Sequence, residues 1–261
     1  MQSILHRIRT RFLKWTEAPI GIPVESLIPV ERIGTPYGGW LIPQDLLSPE
    51  SVCYFVGAGE DISFDLGVAA KYGCQVHIFD PTPRAVTHFE RVIQGLKTGK
   101  PAACSTSSTG HYPDYPAGMA EILHFHPIGI WNEDTVLRFF APQNAEHVSH
   151  SIVNLQRSEK AIEVPVRRLA GIMREAGHKR IDVLKIDIEG AEYQVIESIL
   201  ADHLDVDILC IEYDESAANH LDAGYIGRIR GSLQSLTNAG YHIIAKEKNC
   251  HNYTLIHRRL L

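Results

Sequence analysis

Apolar residues along this chain fall into short runs that alternate with stretches of helical spacing, and the alternation begins near residue 50. Ser51 to Val56 is an apolar run that ends in Gly57-Ala58-Gly59, and Ile62 to Tyr72 carries apolar residues at helical spacing, with Asp61 placed to cap the first turn. Gln75 to Phe79 is the next expected strand, stopping at Asp80-Pro81 before a helix from about Arg84 to Leu96. A Ser, Thr, Pro and Gly-rich loop, Pro101 to Gly118, precedes the strand Ile122 to Phe125 and an apolar stretch from Ile128 to Trp131.

Val136 to Phe140 reads as a strand, and the polar stretch Ala141 to Ser158 has no readable periodicity. Val164-Pro165-Val166 is extended, Arg168 to Ala176 is helical, and Ile181 to Ile188 is the strongest strand pattern in the chain. A helix over Glu192 to Leu200, a strand over Val206 to Ile211 and a helix over Ile226 to Asn238 follow. Tyr241 to Ala245 and Tyr253 to His257 are two strands with so short a connection that they must pair antiparallel. The expected fold is α/β: βα units on a mostly parallel sheet, closed by an antiparallel terminal hairpin.

Two regions follow from this pattern: residues 1-49, an amino-terminal helix and irregular lead-in, and residues 50-261, the α/β domain. The lead-in from Pro19 to Pro49 is rich in Pro and Gly. Before it, Ile4, Leu5, Ile8, Phe12 and Trp15 alternate with Arg7, Arg9, Arg11 and Lys14 as a short basic amphipathic helix, which could dock on the domain or join subunits into a homo-oligomer. Its charges interrupt any apolar core a signal peptide would need, and no apolar run is long enough to cross a bilayer.

Composition narrows the function. A net charge of -6 offers no basic face for nucleic acid, so small substrates fit better. Five cysteines without a C-x-x-C pair suggest reduced thiols in a cytoplasmic protein, with no disulfide framework or structural zinc site.

The chemistry gathers at strand ends, where an open α/β sheet binds ligands. Gly57-Ala58-Gly59 is a turn where missing side chains let a ligand approach the backbone. A dinucleotide fingerprint would need a third Gly at the position held by Ile62, which disfavours an NAD-dependent oxidoreductase. Asp80, about twenty residues past Gly59, is placed to accept the hydroxyls of a ribose or to start a turn. Lys185, Asp187 and Glu189 alternate at the end of the strongest strand, either as an ion pair with a helix cap or as a functional cluster. Glu212 and Asp214 end the next strand and could orient a substrate hydroxyl or hold a divalent cation, although no metal is assigned. His124, His126, His147 and His150 are further candidates for a general base.

Val56-Gly57-Ala58-Gly59, Ile78-Phe79-Asp80-Pro81 and the run from Asp182 to Glu192 together resemble the FkbM family of S-adenosylmethionine-dependent methyltransferases. The resemblance covers Tyr37 to the carboxyl terminus. It implies a Rossmann-like class I methyltransferase fold with a seven-stranded sheet, and O-methylation of a sugar or secondary metabolite, a small-molecule or glycan acceptor. It also implies that Gly57, Ala58 and Gly59 lie against the methionine part of the cofactor, Asp80 at its ribose, and Gly129 and Ile130 near its adenine. Asp187 would lie beside the methionine and the transferred methyl, with Glu189 and Glu212 close to the acceptor. Relatives usually carry an acid two places before the first Gly of the turn. Phe55 stands there, leaving Glu60 or Asp61 to contact the cofactor's amino group, or else a catalytically degenerate binding module.

Overall fold

The computed structural model describes residues 20–140, 161–188, 190–215, 224–247 and 251–261. The amphipathic segment before Pro19, the stretch Ala141 to Ser158, Glu189, His147, His150 and Cys250 lie outside them.

Strands β1 (Val30–Ile33) and β2 (Trp40–Pro43) form an antiparallel hairpin inside the lead-in. The Pro and Gly content predicts an irregular, turn-containing lead-in with little regular helix, and two four-residue strands are too short to show an alternation. Then follow β3 (Val52–Val56), α1 (Ser63–Tyr72), β4 (Gln75–Phe79), α2 (Pro83–Thr98), β5 (Leu123–His126), β6 (Gly129–Trp131) and β7 (Thr135–Phe140). The second half contributes β8 (Ala161–Arg168), α3 (Leu169–Ala176), β9 (Ile181–Ile186), α4 (Glu192–Ala201), β10 (Val206–Glu212), α5 (Tyr225–Asn238), β11 (Tyr241–Lys246) and β12 (Asn252–His257).

Seven strands form the main sheet in the order β11-β12-β10-β9-β3-β4-β5. β10, β9, β3, β4 and β5 are parallel neighbours, while β12 is inserted antiparallel between β10 and β11. This is the expected seven-stranded sheet with its terminal hairpin. β6, β8 and β7 leave the main sheet and form a small one of their own.

Alternation within the strands splits the core in two. Tyr54, Val56, Leu184, Ile186, Leu209 and Ile211 face α3, α4 and α5. Cys53, Phe55, Val183, Ile208 and Cys210 face α1, α2 and the β1–β2 hairpin. Each fully buried Leu, Ile or Phe contributes roughly 1.5–3 kcal/mol. The hairpin is tied to the sheet where Thr254 Oγ1 donates to the Leu41 carbonyl at 2.5 Å. Cys53, Cys74, Cys104 and Cys210 are free and buried. Among the described residues no helix is long and apolar enough to cross a membrane.

His124 and His126 on β5 stack on His77 of β4, with ring centroids 4.7 and 5.3 Å apart, and His178 meets His77 edge-on. Burial first, then the three neighbouring imidazoles, push His77 down to about 3 from its ordinary 6.5. Between those values the unfolded chain binds more protons than the folded one, so stability falls as pH drops through the window. We expect a His77→Phe variant to lose less stability than the parent between about pH 7 and about pH 5, read as the urea midpoint. Comparing variant with parent cancels the titrating groups outside this imidazole cluster, and equal losses would contradict the effect.

Candidate active site

In the sheet order β4 and β9 lie on opposite sides of β3, so the chain reverses direction at the carboxyl end of β3, the place where open α/β sheets bind ligands. The Gly57 amide donates to the Phe79 carbonyl at 2.9 Å, and the Asp187 amide donates to the Val56 carbonyl at 3.1 Å. Three strand ends thus meet at the turn. Gly57 has φ +87°, and a Cβ there would lie 1.7 Å from the Asp187 carbonyl oxygen. Gly59 has φ +54° with nothing within 4 Å of the corresponding position, so its missing side chain leaves open space.

Asp80 is the buttress of this turn. One carboxylate oxygen accepts the Ala58 and Gly59 amides, each at 3.0 Å. The other accepts the Thr82 amide at 2.8 Å and the Thr82 hydroxyl at 2.6 Å. A carboxylate offers about four acceptor positions, and Asp80 uses four on its own chain while only 6% exposed. The turn-starting reading is seen in these bonds, and Asp80 also lines the cavity. Asp80→Ala should cost on the order of 3 kcal/mol of stability, because two turn amides lose their acceptor. Chemical denaturation reads this, and a loss under about 1 kcal/mol would contradict the role.

The turn opens onto a cavity of about 510 Å³, within the usual range for a small-molecule site. Gly57, Ala58, Gly59, Asp61, Asp80, Gly129, Ile130, Asp187 and Glu212 all line it. Among the described residues the carboxylates on its wall are Glu60, which pairs with Arg84, and Asp61, Asp80, Asp187, Glu212 and Asp214, against the ammonium of Lys185. Such a wall attracts a cation and repels phosphate. The turn amides, already given to Asp80, are not offered to a pyrophosphate either, which counts against the dinucleotide reading on physical grounds.

Asp61 accepts the Ser63 amide at 2.9 Å, the Thr35 hydroxyl at 2.6 Å and the Thr106 hydroxyl. Burial pushes its carboxyl up, but these hydrogen bonds outweigh it and hold the group below its ordinary range. The N-cap position of α1 is Ile62, so Asp61 caps from one residue farther out than expected. Its larger role is to fasten the β1–β2 turn and the loop after α2 to the Gly turn. Pro36, Tyr37, Gly38 and Trp40 thereby form one wall of the cavity.

β9 ends at Ile186, two residues before the expected Ile188, because its partner β3 ends at Val56, opposite Ile186, and turns away at Gly57. Lys185 is 3% exposed; its ammonium donates to the Gly57 carbonyl at 2.5 Å and lies 3.5 Å from Asp187 Oδ2. Glu212 accepts from Asn252 Nδ2 at 3.0 Å, the two being register partners on β10 and β12. Lys185 and Asp214, both singled out in the sequence, line the cavity, and Asn252, Tyr37 and Trp40 join the site beyond the residues expected from sequence. For Asn252 the signal was the closing hairpin, which returns β12 beside β10. His124 and His126 are held in the imidazole cluster on β5 and are not cavity-lining. Among the described residues no group of three or more His, Cys, Asp or Glu side chains is arranged to hold a metal ion.

Sheet order, a Gly turn at the switch point and an acid-lined cavity define a Rossmann-like class I methyltransferase. The chain belongs to the FkbM methyltransferase domain family, which matches residues 56–243. It is 24% identical over 182 residues to Methyltransferase 1 of Beauveria bassiana, covering 65% of this chain and 68% of that protein. It is 25% identical over 162 residues to the 31-O-demethyl-FK506 methyltransferase FkbM of Streptomyces tacrolimicus, covering 59% and 61%. Against the human probable methyltransferase-like protein 24 it is 26% identical, covering 56% of this chain and 27% of that one. Among solved structures, the N-terminal domain of human METTL16 in complex with SAH aligns with a TM-score of 0.39 at 11% identity, covering 95% of this chain and 79% of that one.

Proposed function

We propose that this chain is an S-adenosylmethionine-dependent O-methyltransferase acting on a hydroxyl of a small neutral acceptor, of the sugar or secondary-metabolite class. The observation that carries this reading is the Gly turn, whose amides are taken by Asp80 and whose surroundings are anionic. A ligand bearing a sulfonium and an amino group meets complementary charge there. Gly59 lines the cavity with bare backbone, and open space lies beside it.

Gly57, Ala58 and Gly59 would border the methionine part of the cofactor, Asp80 the ribose end, and Gly129 and Ile130 the adenine. Phe55 is buried with its ring 5.0 Å from that of Phe64, and Asp61, which lines the cavity, is the carboxylate we assign to the cofactor's amino group. When bound, S-adenosylmethionine supplies an electrophilic methyl group. The protein's own residues then align the acceptor hydroxyl with that methyl and remove its proton. Asp187, whose side chain is 32% exposed, is the carboxylate we assign to the proton, with Glu189 and Glu212 orienting the acceptor. Acceptors bearing phosphate or carboxylate would face Glu212 and Asp214 and are disfavoured.

Phe55 favours one other reading, a methyltransferase-like module that binds ligand without turnover. Incubation with labelled S-adenosylmethionine and a panel of neutral glycosides and hydroxylated polyketides separates the two. Label transfer to an acceptor supports the enzyme, whereas saturable S-adenosylhomocysteine binding with no transfer across the panel supports the module.

A further inference from the structure

Lys185 is a cation in the interior of a sheet, and an ammonium is removed from water only where other groups replace the solvent. Its register partners are Phe55 on β3 and Cys210 on β10, so neither neighbouring strand offers a carboxylate at that level. Phe55 and Cys210 face α1, and register partners in a parallel ladder share a face, so Lys185 lies on the α1 side of the sheet and the opposing charge comes from that layer, without a direct hydrogen bond. Asp65, in the first turn of α1, is 1% exposed, and neither of its oxygens has a hydrogen-bond partner among the described residues. Burial raises its carboxyl to about 6, and Lys185 is the principal charge acting to lower it. Burial pushes the Lys185 ammonium down, but Asp187, Asp65 and Glu212 outweigh it and keep the group protonated.

At its other end Lys185 holds the reacting corner of the site. Its ammonium donates to the Gly57 carbonyl and pairs with the Asp187 side chain. The Asp187 amide is held by Val56, and its carbonyl lies against Gly57 where no Cβ could fit.

We propose that Lys185 and Asp65 are a buried positioning pair: Lys185 sets the Gly57 carbonyl and the Asp187 carboxylate, and Asp65 neutralises Lys185 from the α1 side. Lys185, being protonated, takes no proton from the acceptor and acts through Asp187. The role rests on the cofactor reading above.

The test compares Lys185→Met, Asp65→Asn and the double variant, each in the full chain, by thermal denaturation and by calorimetric titration with S-adenosylhomocysteine. Lys185→Met leaves two carboxylates facing no cation and should melt well below the parent. Adding Asp65→Asn to it should recover part of that loss, because the orphaned buried charge is removed. The folded double variant should still bind S-adenosylhomocysteine at least about tenfold more weakly, having lost a charged hydrogen bond to the Gly turn. A purely structural pair would restore affinity together with melting temperature. Additive melting losses, or wild-type affinity in the double variant, would overturn the proposal. Failure of the parent to bind S-adenosylhomocysteine would instead sink the cofactor reading, and the melting cycle would still decide the pair.

Discussion

Gly57→Ala should abolish cofactor binding and destabilise the domain, while Gly59→Ala should fold and fail only in binding. The two glycines sit two residues apart in one turn and both have positive φ, yet their surroundings differ. At Gly57 an added Cβ would overlap the Asp187 carbonyl, which lies 1.7 Å from that position. Relief requires β3 and β9 to separate at their ends, at about 1–3 kcal/mol for the overlap and about 1–3 kcal/mol for the backbone conformation. A displacement of even 1 Å at the reacting corner can cost about 100-fold in rate. At Gly59, which lines the cavity, no atom beyond its chain neighbours lies within 4 Å, so the methyl projects into open space without displacing the protein. Its stability cost is confined to about 1–2 kcal/mol of left-handed backbone. Urea denaturation and S-adenosylhomocysteine titration on both variants distinguish the sites. Equal stability losses would contradict the close approach of β3 and β9.

Asp187→Asn should lower methyl transfer by about 10²–10⁴, the usual worth of a positioned acid or base. The fold should survive, because the contacts that anchor residue 187 are mostly main-chain. Its amide bonds to Val56 and its carbonyl packs on Gly57, and both remain in the variant. The asparagine side chain can still meet Lys185 through its amide oxygen. Loss of turnover with S-adenosylhomocysteine affinity within a few-fold of the parent fits a group that acts on the acceptor's proton. Turnover at the parental rate would remove Asp187 from that role.

Most of the fold was legible because its strands are short apolar runs separated by Gly, Pro and Asp, with amphipathic helices between them. The boundaries of α4, β10, α5, β11 and β12 fall within a residue or two of the pattern. What escaped the pattern has physical reasons. β1 and β2 are too short for a period, and their burial comes from packing on α1 and the sheet rather than from their own alternation. β9 stops early because its partner β3 ends at Val56, opposite Ile186, a pairing between residues 130 positions apart in the chain.

The candidate site was legible as a set of strand ends, and Gly57, Asp80, Asp187 and Glu212 do line one cavity. The bonding of Asp80 was not legible, since nothing in Asp80-Pro81 says that its carboxylate reaches back to Ala58 and Gly59. Lys185 was visible as one of three alternating charges, but its contact with the Gly57 carbonyl depends on β3 and β9 being neighbours. Asp65 gave no signal, because a carboxylate in the first turn of a helix reads as an ordinary exposed residue.

Titration of the purified full chain with S-adenosylhomocysteine, and in parallel with NAD, tests the central claim most directly. A Gly turn whose amides belong to Asp80, opening onto an acid-lined cavity, predicts saturable one-site binding of S-adenosylhomocysteine that Gly59→Ala abolishes, with no heat from NAD. Binding of NAD, or no binding of S-adenosylhomocysteine at millimolar concentration, would contradict it.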